Sequence, residues 1–164
     1  ADTDGLTQLY NRRSFDLLLQ RALQEALREQ TRIALIMLDL DHFKAYNDCY
    51  GHPAGDLALQ RIAGVLASHP RRDLDFAARL GGEEFALVLR NPDSAYLAST
   101  CESIRRKISD ELAIEHLKNP AQVMTASLGA SFSNASDTTA SLYQRADLAL
   151  YRAKANGRNR VEID

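Results

Sequence analysis

Residues 76–89 read FAARLGGEEFALVL, and the fold is decided here. Phe76 to Leu80 and Phe85 to Leu89 are short apolar runs with Gly81-Gly82-Glu83-Glu84 between them, the pattern of a β-hairpin closed by a glycine turn. Two adjacent carboxylates in such a turn repel each other unless something positive lies close by, which points to a shared metal ion. The plainer alternative is an exposed hairpin tip.

Upstream of the hairpin, Ile33 to Leu40 is a nearly continuous apolar run, as expected for a central strand buried on both faces. It ends in Asp39-Leu40-Asp41, carboxylates at the strand's C-terminal end of the kind that bind hard cations such as Mg²⁺. His42, Phe43 and Lys44 follow at once, putting a cation and backbone N–H groups beside them. Asn11 to Gln30 carries Phe15, Leu18, Leu19, Ala22 and Ala26 at helical spacing, an amphipathic helix. After Gly51 to Gly55 a second helical pattern runs from about Asp56, a residue placed to cap it, to Ala67.

Downstream, the pattern predicts a helix over 94–112, a strand over 123–132, a helix over 139–155 and a last strand near 160–163. The order is α, β, α, β-hairpin, α, β, α, β, without internal repeat: an α/β fold with a mixed central sheet flanked by helices. Lys154 lies near the end of the last helix, and Arg158 just past Gly157, a residue suited to terminate it. Asn47 and Asp56 supply an amide and a carboxylate that complement the edge of guanine.

The 164 residues fit one domain with its own core. Hydrophobic residues make up 45% and charged residues 26%, and 20 basic residues face 22 acidic ones for a net charge of −2. Nothing in this balance suits a chain built to coat nucleic acid or an anionic membrane, so an anionic ligand must be held locally. Cys49 and Cys101 lack CxxC spacing and read as reduced thiols of a cytoplasmic protein. The run from Ile33 to Leu38 is far short of the ~20 residues of a membrane helix. The opening ADTDGLTQLYNRR has neither an initiator Met nor a signal-peptide pattern, which suggests a single domain, 1–164, excised from a longer protein.

Five ordered segments carry a family likeness: DGLTQLYNRRSF (4–15), LDLDHFKAYNDCYGHPAGD (38–56), RLGGEEF (79–85), SLG (127–129) and ADLALYRAKANGRNRV (146–161). In this order and spacing the chain resembles the GGDEF family of bacterial diguanylate cyclases over nearly its whole length. The resemblance implies a fold related to nucleotidyl cyclase and polymerase palm domains, and a second-messenger enzyme that condenses two GTP molecules into cyclic di-GMP, a signal linked to biofilm formation. It implies Mg²⁺ or Mn²⁺, two ions per active site, an antiparallel homodimer in which each domain holds one GTP, and a longer signalling protein with an N-terminal regulatory region and room for a membrane anchor.

Carried over residue by residue, the resemblance makes Asp39 a metal ligand and Leu40 a donor of its backbone carbonyl to metal. Glu83 becomes metal ligand and general base, and Glu84 a second-metal or supporting carboxylate. Asn47 and Asp56 match guanine-binding positions, His52 lies near the nucleotide, and Phe43, Lys44, Lys154 and Arg158 match phosphate contacts, with Lys44 also stabilising transition-state charge. Arg72-Asp73-Leu74-Asp75 is an RxxD at the offset of the family's inhibitory product site, with Arg105 as a secondary contact. Leu80 stands where the family usually has an aromatic, and Glu83 where the name-giving motif has Asp.

Three other readings compete. A degenerate domain would bind GTP or cyclic di-GMP as a receptor without catalysis, but Asp39, Glu83, Glu84 and Lys44 are intact. A related cyclase or polymerase-like enzyme would make another product, against which Asn47 and Asp56 speak, and a dimerisation module would need none of these groups.

Overall fold

All eight residues of β1 (Ile33–Leu40) are buried, as an unbroken apolar run demands. In the computed structural model, which describes residues 1–69 and 74–164, alternate side chains of this strand enter two different cores. Ala34, Ile36, Leu38 and Leu40 join one; Ile33, Leu35 and Met37 join the other. A period of two therefore feeds both faces of one sheet.

The remaining elements are α1 (Arg12–Glu29), α2 (Phe43–Tyr50), α3 (His52–Ser68), β2 (Phe76–Gly81), β3 (Glu84–Arg90), α4 (Ser94–Arg106), β4 (Ala126–Phe132), α5 (Thr139–Ala155) and β5 (Val161–Ile163). Helix α4 runs on into a wider π-type segment, Lys107–Leu112. The strands lie in the order β2-β3-β1-β4-β5, antiparallel except for the parallel pair β4–β5, so the sheet is mixed as expected. Phe15 and Leu19 of α1 and Leu142 and Leu150 of α5 cover one face. Residues of α2, α3 and α4, among them Phe43, Ile62 and Ile104, cover the other.

Local chemistry sets the helix ends. Asn11 accepts from the Ser14 N–H and caps α1, Asp93 does the same for α4 through Tyr96, and Thr138 and Ser141 form a reciprocal capping box on α5. A β-carbon on Gly129 of β4 would come 2.0 Å from the Leu150 nitrogen. That close approach of α5 to the sheet explains the glycine of the SLG segment. Leu80 is buried in the α1/α5 core, so its departure from an aromatic is a matter of packing.

Four sequence expectations need correction. The second predicted helix starts at His52 rather than Asp56, with Pro53 in its first turn, where proline's missing N–H costs nothing; Asp56 is thus inside α3 and does not cap it. Helix α2 was not foreseen, because eight polar-rich residues carry too short a period to read. The strand expected from Val123 begins at Ala126, since residues 113–125 form a loop in which Val123 makes a single bridge to Glu115. Glu84 is the first residue of β3, not part of the turn. Arg72 lies outside the described residues.

Candidate active site

The C-terminal end of β1 meets the start of β3, the start of β4 and the N-terminus of α2. Asp39 lies directly opposite Glu84 of β3 and Ser127 of β4. The turn between β2 and β3 is made possible by Gly81 at φ 147° and Gly82 at φ 50°, conformations that side-chain-bearing residues rarely adopt, and it brings Glu83 back over β1. The Leu40 N–H points to the Glu83 carbonyl at 3.4 Å.

A cleft of about 210 Å³ at this junction is lined by Asp39, Leu40, His42, Phe43, Lys44, Glu83, Lys154 and Arg158, among others. The Asp39 carboxylate receives a 2.5 Å bond from the Lys154 ammonium. Burial nevertheless pushes its pKa up to about 6, against the hydrogen bond and charge of Lys154, and the nearby charges of Glu83 and Glu84 push it further. The carboxylate is underneutralised by its protein surroundings, which is the electrostatic condition for taking up a cation.

Asp41, two residues on, is different. Its carboxylate accepts from Thr125 Oγ1 at 2.7 Å, Ser127 Oγ at 2.6 Å and the Asn159 N–H at 3.0 Å. It is a brace that ties the end of β1 to β4 and to the turn after α5, and it has little capacity left for a metal.

A second, larger cleft of about 440 Å³ is lined by Phe43, Lys44, Asn47, Asp48, His52, Asp56, Leu59, Arg79, Gly82 and Glu83. It shares Phe43, Lys44 and Glu83 with the first, so the two adjoin. Asn47 Oδ1 is buried there without a hydrogen-bond partner, a cost natural proteins rarely carry without a ligand to repay it. A β-carbon on Gly55 would stand 1.8 Å from that same oxygen, so the second glycine of GHPAG makes room for the Asn47 amide.

The expected residues thus fall into clear groups. Asp39, Leu40, Glu83, Lys154 and Arg158 gather in the smaller cleft, and Asn47, His52 and Asp56 in the larger. The Phe43 ring is buried and stacks on Tyr46, leaving its backbone N–H as the group available to an anion. Lys44 is fully extended into solvent, paired with Asp48 at 3.2 Å. Glu84 is exposed and lines neither cleft, although its charge is felt by Asp39.

Asp75 lies just before β2, where it accepts from the Arg90 N–H at 2.8 Å beside a separate cleft of about 350 Å³ that Arg21 and Arg90 also line. Arg105 is held by Glu102 and by Asn159, next to β5 at the opposite edge of the sheet. Asp75 and Arg105 therefore do not share a site within one chain. Sequence reasoning missed Arg79, which lines the larger cleft and is fixed by Asp4 at 3.2 Å and the Gly82 carbonyl at 2.9 Å; the pairing of an N-terminal Asp-Gly with an Arg before the glycine turn was its only signal.

The carboxylate residues Asp39 and Glu83 and the backbone-donor candidate Leu40 all line the smaller cleft, while no group of three or more His, Cys, Asp or Glu side chains poised for metal occurs among the described residues. That donor set fits Mg²⁺ or Mn²⁺, which take one or two carboxylates and leave remaining positions to water and substrate phosphates. It does not fit zinc, which wants a closed nitrogen and sulfur cage.

Residues 1–160 match the family described as "Diguanylate cyclase, GGDEF domain". The chain is 41% identical over 160 residues to diguanylate cyclase VdcA of Vibrio cholerae, covering 96% of this chain and 45% of that protein. It is 37% identical over 165 residues to diguanylate cyclase A of Treponema denticola, covering 98% and 44%. It spans less than half the length of these curated relatives. Among solved structures, the GGDEF domain of DgcB from Caulobacter crescentus in complex with c-di-GMP superposes with a TM-score of 0.90 at 39% identity, covering 99% of this chain and 95% of that one. The active GGEEF domain of a diguanylate cyclase from Vibrio cholerae superposes with a TM-score of 0.83 at 34% identity, covering 95% and 97%.

Proposed function

The chain belongs to the GGDEF family of diguanylate cyclase domains, and from that premise we propose that it condenses two GTP molecules into cyclic di-GMP with release of two pyrophosphates. The observation that carries this reading is the adjacency of the two clefts, which share Phe43, Lys44 and Glu83 along their common border. A guanine in the larger cleft, bound by Asn47 and Asp56, delivers its phosphates to the end where Asp39, Leu40 and Glu83 converge.

A divalent ion bound there would neutralise the triphosphate and polarise the α-phosphorus. Asp39, the Leu40 carbonyl and Glu83 would hold it; the raised pKa of Asp39, to which the Glu83 charge contributes, supports that assignment. Lys154 and Arg158 bind phosphate oxygens, and the backbone N–H groups at the start of α2 face the same end. Glu83 takes the proton from the 3′-hydroxyl of the second GTP as that oxygen attacks the α-phosphorus. Lys44, solvent-exposed and mobile enough to reach the leaving pyrophosphate, absorbs its developing charge.

One cleft takes one nucleotide, so two domains must face each other as a homodimer, each donating half of the reacting pair. The domain is read as one part of a longer signalling protein, acting in the cytoplasm where GTP is available; no helix among the described residues is long and apolar enough to cross a membrane. Product inhibition is assigned to Arg72 and Asp75, of which Asp75 lies beside the Arg21- and Arg90-lined cleft, with Arg105 reaching such a ligand from another chain. The c-di-GMP bound to the DgcB domain is the relative's support for a product-binding site.

The test is synthesis of cyclic di-GMP from GTP and Mg²⁺ across a range of protein concentrations. Specific activity should rise with concentration as half-sites pair, and chelation should abolish it. No product at any concentration, with GTP still bound, would move the domain to the receptor class. Arg72→Ala should leave synthesis intact and weaken inhibition by product; an unchanged inhibition constant counts against that site.

A further inference from the structure

Helix α2 carries both halves of substrate recognition, the N-terminal amides beside Lys44 and the Asn47 amide, yet its own sequence holds it weakly. It is eight residues long, begins after His42 in a left-handed conformation at φ 56°, and has no side-chain cap. A helix so short is marginal without tertiary support. The support comes from the loop between α4 and β4. His116, 0% exposed, sets its Nε2 3.0 Å from the His42 carbonyl. The Leu117 N–H donates to the Tyr50 hydroxyl at 3.0 Å, and that hydroxyl donates in turn to Glu115.

The loop thus grips α2 at both ends. Between the grips, Phe43, Tyr46 and Tyr50 form a stack along one face of the helix, and the His116 ring stands edge-on to Tyr46 at 5.1 Å. The loop is itself tied to the site's brace: Asn119 donates to Thr125 Oγ1 at 3.0 Å, and Thr125 donates to Asp41. Because a carbonyl can only accept, the His116 proton sits on Nε2, and Nδ1 is left buried without a partner. A leucine or phenylalanine would carry no such cost, so what the histidine adds is its donor.

We propose that His116 is a positioning residue for GTP: by donating to the His42 carbonyl it fixes the turn that aims the N-terminal amides of α2 and the Asn47 amide at one nucleotide. The proposal rests on the reading of the two clefts as a GTP site, and touches neither metal nor the reacting atoms. Glutamine places an N–H donor near the position of Nε2; asparagine falls short of it.

The test compares His116→Gln, His116→Asn and His116→Leu. His116→Gln should keep a GTP KM within about threefold of the parent, while Asn and Leu raise KM about tenfold, the equivalent of one hydrogen bond, with kcat per folded protein changed little. Amide hydrogen exchange over residues 43–50 should quicken about tenfold in Asn and Leu but not in Gln. A residue that only filled space would lower thermal stability and the active fraction while leaving KM and local exchange alone, and that pattern overturns the proposal. So does a glutamine variant as impaired as asparagine. Should His116→Leu fail to fold, the Gln and Asn pair decides. Exchange is read without substrate, so a protein that made no cyclic product would refute the cyclase reading and leave the clamp to stand or fall on residues 43–50.

Discussion

The two ends of the sheet hold buried carboxylates in opposite electrostatic states. At the C-terminal end of β1, Asp39 has one cationic partner, Lys154, and two acidic neighbours, and burial wins: its pKa rises to about 6. At the other end, where β4 finishes beside the start of β1, Asp137 also keeps its side chain from water, 4% exposed, but it sits nearer the surface than Asp39, in a residue that is only half-buried. Burial would raise its pKa too, but hydrogen bonds from Arg145, Ser141 and the Asn134 N–H, with the charge of Arg145, outweigh burial and leave it lowered. Low side-chain exposure alone therefore does not separate the two ends. Depth and satisfaction together do: the shallower carboxylate has its lone pairs spoken for, and the deeper one waits for charge the protein does not supply.

The sharpest way to break this contrast is to remove the waiting carboxylates. Glu83→Ala and Asp39→Ala should each lower synthesis by at least about a thousandfold, the scale of losing electrostatic stabilisation at the reacting phosphate, with circular dichroism unchanged. Asp39→Asn should do the same to turnover and yet stabilise the metal-free domain by about 1 kcal/mol, since an amide carries no charge to desolvate. A destabilised Asp39→Asn, or one that still makes product, would show that Asp39 is scaffold like Asp137.

The complementary change is Arg145→Ala. Arg145 binds Asp137, Ser131 and the Phe132 carbonyl, and Asp164 at 3.4 Å, so it ties the start of α5 to β4 and the chain end. Its loss should cost about 2 kcal/mol, less than a fully buried pair because the guanidinium is 29% exposed. Urea unfolding reads that loss. The kcat of the protein that remains folded should be unchanged; a fall in kcat would couple the two ends of the sheet and weaken the distinction between them.

Much of this contrast was legible in the sequence on one side only. The run Ile33 to Leu40 and the Gly81-Gly82 turn are dictated by short-range rules of burial and glycine conformation, so the strands and the mixed sheet could be foreseen, whereas the meeting of Asp39 with Glu83 was implied only by the family resemblance. Helix α2 could not, because its stability comes from His116 and Leu117, 74 and 67 residues away from their partners, and no periodicity in eight residues reports such contacts. Asp41 looked like a metal ligand beside Asp39, since sequence shows two carboxylates and not the Thr125, Ser127 and Asn159 groups that occupy one of them. The Asp137 and Arg145 pair passed unremarked, because nothing in DTTASLYQR separates a buried ion pair from a solvated helix start.

The smallest effect is the most discriminating for the satisfied end. Asp137 has its pKa lowered in the fold from an ordinary 3.8, so the folded state binds its proton less readily than the unfolded chain. The stability this contributes is complete above the unfolded value and is lost as the pH falls below it toward the folded one. Asp137→Asn should therefore be less stable than the parent at neutral pH by about 1 kcal/mol, and the gap in urea midpoint should close as the pH drops below 3.8. Asp39 gives the opposite sign. Its raised pKa makes the folded state the better proton binder, so acidification from pH 6 to 3.8 favours the fold, and the parent should gain on Asp39→Asn over that interval. Two substitutions of the same chemistry, Asp to Asn, thus diverge from the parent in opposite directions on one pH axis. Parallel curves would mean that the two carboxylates sit in equivalent surroundings, and that the vacancy of charge at the end of β1 is not what distinguishes the cleft-bearing end of the sheet.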